Sequence, residues 1–129
     1  MTGAPPTLKI HALNHVAIHV HDVSRSVRFY EAVLRLAPLP RPAFSFPGAW
    51  FSLGPGQELH LIGDAQYPAQ TPHRGNHFAL LIDDAAAWLA HLHACGLTES
   101  RIKTRPDGAL QIFLTDPDGH FIELCTPPH

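Results

Sequence analysis

Cysteine is scarce in this 129-residue chain: two residues, Cys95 and Cys125, are too few for a disulfide framework, so a reducing compartment is expected. Long apolar runs are missing as well; none approaches the roughly 20 residues needed to cross a bilayer. The opening Met1-Thr2-Gly3-Ala4-Pro5-Pro6 has neither the basic stretch nor the apolar segment of a secretion signal, which points to the cytoplasm. Charge of one sign is nowhere concentrated. A net charge of −2 without a basic block argues against nucleic acid or a membrane surface as a partner. With 45% apolar and 16% charged residues the composition is globular, and the length suits a single domain over residues 1–129.

Histidine is the residue in excess, with eleven. That abundance makes any one histidine a weak signal, and position has to choose among them. The choice comes from an internal repeat. Asn14-His15-Val16-Ala17-Ile18 is echoed by Asn76-His77-Phe78-Ala79-Leu80, and at the same spacing Asp22 is echoed by Asp84 and Val27 by Leu89. Each copy reads as a short strand, an acidic helix cap and an amphipathic helix. The helix stripes are Val23, Val27, Tyr30, Leu34 in the first copy and Ala85, Trp88/Leu89, Leu92, Cys95 in the second, closed by Gly96. Pro38 and Pro40 end the first helix.

Residues 41–54 mix aromatics with turn formers and suggest two short strands about a tight turn, followed by the strand Gln57–Ile62. A further strand is expected at 98–103. The turns Arg105-Pro106-Asp107-Gly108 and Asp116-Pro117-Asp118-Gly119 bracket a hairpin of 109–114 with 120–125. Across these closing strands the repeat runs one residue longer, relating Gly56 to Gly119 and His60 to Glu123. The expected fold is α+β: two tandem β-α-β-β-β modules, about 9–63 and 75–126, joined by a linker at 64–74. They would form a cupped mixed sheet around a metal cleft, with the helices on the outer face.

Because strand side chains alternate, His15, His60, His77 and Glu123 all lie on the face turned away from the helices. If both modules face one cleft, the four converge. Imidazole and carboxylate together suit a divalent cation such as Zn, Ni, Mn, Fe or Co. His19, Glu58, Phe46, Trp50 and Cys125 are pocket-lining candidates on or near the same face. His11, His21, His73, His91, His93, His120 and His129 read as ordinary surface, turn or terminal residues. Arg41, Arg101, Lys103 and Arg105 read as solvated surface cations, and the two Pro-Asp-Gly turns as shapers of hairpins.

Taken together, Leu13-Asn14-His15-Val16-Ala17-Ile18 with Ser26-Val27-Arg28-Phe29-Tyr30, Asn76-His77-Phe78-Ala79, and Asp116-Pro117-Asp118-Gly119-His120-Phe121-Ile122-Glu123-Leu124 resemble the vicinal oxygen chelate superfamily. That group includes glyoxalase I, fosfomycin-resistance proteins, extradiol dioxygenases and bleomycin-binding proteins. Phe46-Pro47-Gly48-Ala49-Trp50 with Leu59-His60-Leu61 is most similar to its small single-domain glyoxalase-like members. The resemblance implies that His15, His77 and Glu123 are metal ligands and that His60 stands where glyoxalase I has a glutamate. That departure argues against lactoylglutathione lyase activity itself. It also implies a homodimer and a metal-dependent, isomerase- or lyase-type proton transfer on a small oxygenated substrate, with Glu123 as ligand and base. Three other readings remain open at this point. One is an Fe(II) ring-cleaving dioxygenase with His60 as an acid or base beside the metal. Another is thiol transfer to fosfomycin, and the third is a metal-free drug-binding protein. Whether one chain or two complete the cleft is equally open.

Overall fold

The computed structural model describes residues 3, 7–64, 66 and 76–129. The expected linker, apart from Asp64 and Gln66, lies outside them, as does His73. Ten elements follow in order: β1 (His15–His19), α1 (Val23–Ala32), β2 (Pro38–Leu39), β3 (Gly48–Gly54), β4 (Gln57–Ile62), β5 (His77–Leu81), α2 (Ala85–Ala94), β6 (Ile102–Thr104), β7 (Leu110–Thr115) and β8 (Phe121–Cys125). They make two four-stranded mixed sheets of identical plan, ordered β1-β4-β3-β2 and β5-β8-β7-β6. In each, a parallel pair (β1 with β4, β5 with β8) continues into an antiparallel meander.

The register carries the repeat to the level of single residues. Ala17 pairs with His60 in the first sheet, and Ala79 pairs with Glu123 in the second. His60 and Glu123 are therefore structural counterparts, as are His15 and His77. The helix caps repeat too: the Asp22 carboxylate accepts from the Arg25 N–H at 3.1 Å and Asp84 from the Ala87 N–H at 3.0 Å.

The helix-covered faces of both sheets share one core, which runs from Ile18, Tyr30, Phe51, Leu59 and Leu61 to Leu92, Ile112, Ile122 and Leu124. The modules are also stitched by polar groups. Buried Tyr30 donates its hydroxyl to Asp116 Oδ2 at 2.7 Å, and buried Ser26 donates to Asp118 Oδ2 at 3.4 Å. The His21 backbone N–H and ring both reach Asp118 Oδ1, at 3.1 and 2.6 Å. The turn at 116–119 thus does more than shape a hairpin: it docks the second module onto the start of α1. Gly119 holds φ +90° there, a conformation that favours glycine.

Three local expectations are corrected. The run 41–54 is not a strand pair. Its second half is the single strand β3, residues 41–47 are irregular, and β3 takes its edge partner from Pro38–Leu39. Pro38 is tolerated because β2 has a neighbour on one side only, so its missing N–H leaves no gap in a ladder. The strand expected at 98–103 is confined to 102–104. Cys95 is exposed and is the C-cap of α2, so the buried stripe of that helix ends at Leu92.

Candidate metal centre

The faces turned away from the core carry the candidate ligands. On the first sheet His15, Ala17 and His19 of β1 lie beside Glu58 and His60 of β4 and Trp50 and Ser52 of β3. On the second, His77, Ala79 and Leu81 of β5 lie beside Phe121, Glu123 and Cys125 of β8 and Gln111 and Phe113 of β7.

Four side chains were expected at one cation, and within a chain they form two pairs. Among the described residues, no group of three or more His, Cys, Asp or Glu side chains stands close enough to hold a metal ion. The reason lies in the packing. The two modules share their helix-covered sides, so the opposite faces, with the ligands, are not buried against each other: His15, Ala17, Ala79 and Leu81 are all exposed.

The second pair is well formed. His77 Nε2 lies 2.9 Å from Glu123 Oε1. That is the length of a hydrogen bond from the ring N–H to the carboxylate. A cation held by both groups would take the place of that proton. Glu123 is buried, and its second oxygen accepts from the Gln111 amide at 3.0 Å. Such outer support is what a ligating carboxylate needs to keep its direction.

The first pair is arranged differently. His15 donates from Nδ1 to Asn14 Oδ1 at 2.7 Å, which leaves Nε2 as its free lone pair. The His60 ring is sandwiched, 3.9 Å and 3° from Trp50 on one side and 4.2 Å and 16° from His15 on the other. His60 Nε2 also donates to Glu58 Oε1 at 2.9 Å. Imidazole lone pairs lie in the ring plane, so two stacked, nearly parallel rings do not aim at one point. His15 fits a ligand role as it stands; His60 would have to turn out of its stack.

The remaining candidates are spread around these pairs. His19 is exposed and pairs with Asp64. Trp50 is half-buried against His60, and Phe46 is exposed in the 41–47 segment. Cys125 is a half-buried free thiol whose pKa is raised by burial and by the neighbouring Glu123 charge, so it stays protonated. Of the histidines set aside, His91 and His93 bond the carbonyls of Val33 and Ser100, and His120 bonds the carbonyl of His19. They are tethers. Arg105 pairs with Asp107, whose pKa falls to about 2 chiefly through that hydrogen bond. Gln111 and Phe113 carry no signal of their own in the sequence. Counting back evenly from the turn at 116–119 puts Ile112 opposite Glu123; the register in which Asp116 bonds His120 brings Phe113 there instead.

The comparisons with known proteins agree with this architecture. The model of the family described as Glyoxalase/Bleomycin resistance protein/Dioxygenase superfamily matches residues 12–124. The chain is 32% identical over 127 residues to "Glyoxylase I 4" of Arabidopsis thaliana, covering 92% of this chain and 72% of that protein. Among solved structures, a glyoxalase family protein from Bacillus anthracis superposes with a TM-score of 0.76 at 21% identity, over 93% of this chain and 98% of that one. A variant of the fosfomycin resistance protein FosX from Listeria monocytogenes, complexed with Mn(II) and 1S,2S-dihydroxypropylphosphonic acid, gives a TM-score of 0.73 at 19% identity, over 92% and 93% of the two chains. The chain belongs to the glyoxalase/bleomycin resistance protein/dioxygenase superfamily, the vicinal oxygen chelate proteins.

Proposed function

We propose that this protein is a metal-dependent enzyme of the glyoxalase type, with its centre assembled between two copies: His15 of one copy meets His77 and Glu123 of the other. The observation that carries the reading is the His77–Glu123 pair, 2.9 Å apart and buttressed by Gln111. The need for a second copy follows from the separation of the half-sites within one chain. Further support comes from β1 and β5, which both stand at sheet edges, and from Leu81 on β5, which is 73% exposed. Exposed apolar edges of this kind call for cover. A cavity of about 290 Å3, lined in part by Leu53, Gln57, Leu81 and Trp88, runs alongside β5 and offers that cover a seat. A two-fold dimer makes two equivalent sites from two such chains.

A divalent cation bound there supplies Lewis acidity to two adjacent oxygens of a small substrate. The protein's own groups do the rest. Asn14 fixes the tautomer of His15, Gln111 holds one oxygen of Glu123, and the other oxygen, when displaced from the ion, would take a proton from the carbon beside a carbonyl and return it to the adjacent carbon. The test is metal analysis of the native protein against His77→Ala. Stoichiometric metal in the native protein and its loss in the variant are expected; equal metal content in both would refute the assignment. Tight drug binding by protein that takes up no metal would instead favour a metal-free binding role.

One observation favours a second reading. With His60 held by Trp50 and Glu58, the remaining donors are His15, His77 and Glu123, the two-histidine, one-carboxylate set of non-haem iron oxygenases. Oxygen uptake by Fe(II)-loaded protein with a catechol separates the two.

A further inference from the structure

We infer that the substrate of this site carries an aryl ring next to its two vicinal oxygens, an inference that rests on the reading above and names the substrate class for it. The rings around the donors form a continuous wall. His15 stacks on His60 and His60 on Trp50, Phe44 stands 6.1 Å from Trp50, and Phe46 stacks on Phe44 at 5.3 Å. Trp50 shares the face of His60, so this column extends outward from the donor His15, which stacks on the other side of His60. Phe44 and Phe46 remain 46% and 38% exposed, and such area is ready to be covered by a flat apolar group.

The other half-site repeats the chemistry. Phe113, paired across the strands with Glu123, meets His77 edge-on at 5.4 Å, and Phe121 lies 6.2 Å beyond it. Each donor pair is therefore flanked by aromatic rings on its own sheet. A substrate with several anionic groups would need matching cations. The guanidinium beside this wall, Arg41, is already engaged: it donates to the Phe46 carbonyl at 2.8 Å and lies 4.9 and 5.0 Å over the Phe44 and Phe46 rings. Arg41 is thus committed to the two rings and to the loop that carries them.

The experiment compares mandelate with lactate, which present the same hydroxyl and carboxylate oxygens and differ by a phenyl ring in place of a methyl group. Binding to the metal-loaded native protein is measured by calorimetry, and quenching of Trp50 fluorescence is followed in a Trp88→Phe background. Mandelate is expected to bind about tenfold tighter or more and to quench Trp50 where lactate does not. Phe44→Ala, a change in the exposed loop, is expected to remove most of the preference while leaving lactate affinity unchanged. Equal affinities for the two acids, or equal weakening of both in Phe44→Ala, overturns the inference and leaves the metal reading intact. Binding of neither acid to protein that holds its metal overturns the inference, whereas native protein that takes up no metal overturns the reading beneath it.

Discussion

At the scale of single residues, the sharpest energetic contrasts lie in the polar stitching between modules. Tyr30 is buried, and burial together with the adjacent Asp116 raises its pKa well above 10.0. The neutral phenol is the form the fold keeps. Its contribution to stability is complete below about pH 10 and is lost as pH rises beyond that, when the unfolded chain ionises first. Asp118 behaves in the opposite sense. Burial works against its charge, but hydrogen bonds from the ring and backbone of His21, with the charges of His21 and Arg25, outweigh that and bring its pKa below 3.8. Its contribution is complete above about pH 4 and disappears as pH falls through the lowered value. Tyr30→Phe is expected to cost about 1–3 kcal/mol, because it leaves a buried carboxylate oxygen short of a donor. The same variant should flatten the alkaline limb of a stability–pH curve measured by urea unfolding; an unchanged limb would contradict the assignment. None of this was legible in the sequence. Asp116 and Asp118 announce a turn through their Pro and Gly neighbours, and nothing local says that module one lies against it.

At the scale of elements, the repeat makes paired predictions. Asp22 and Asp84 cap helices of ten residues in the same way. Asp84→Ala should therefore lower stability by about 1 kcal/mol, read as a drop in melting temperature of a few degrees. Gly48→Ala should be worse than an ordinary strand substitution, since a Cβ there runs into the Leu61 carbonyl on the neighbouring strand. The strands that carry the candidate ligands are readable because alternation and the repeat agree: a residue and its counterpart both face away from an apolar stripe. The segment 41–54 and the prolines before it are ambiguous for the converse reason. Prolines that end a helix and a proline that opens an edge strand look alike in sequence, and only the one-sided pairing of β2 tells them apart.

At the scale of the whole molecule, the prediction concerns who contributes what. If each centre takes His15 from one copy and His77 with Glu123 from the other, His15→Ala and His77→Ala proteins are each unable to bind metal fully. Mixed and refolded together, they should recover about one intact site per mixed dimer, because one of its two sites collects both defects and the other collects neither. Metal stoichiometry in the mixture, against the two separate variants, checks this; no recovery would place the donors of each centre on one chain. Sedimentation of the native protein should show a dimer.

The sequence by itself determined the doubled βαβββ plan, the strand faces, the helix caps and which side chains share the faces turned from the helices. These depend on local periodicity and on one half matching the other, and both are written along the chain. Only the tertiary structure decided that the modules share their helix-covered sides. That leaves the donors as two outward-facing pairs and turns His60 into a ring clamped between Trp50 and His15. Which faces meet depends on contacts between residues far apart in the chain, Tyr30 with Asp116 and His21 with Asp118 among them, and a single sequence has no local signal for such contacts.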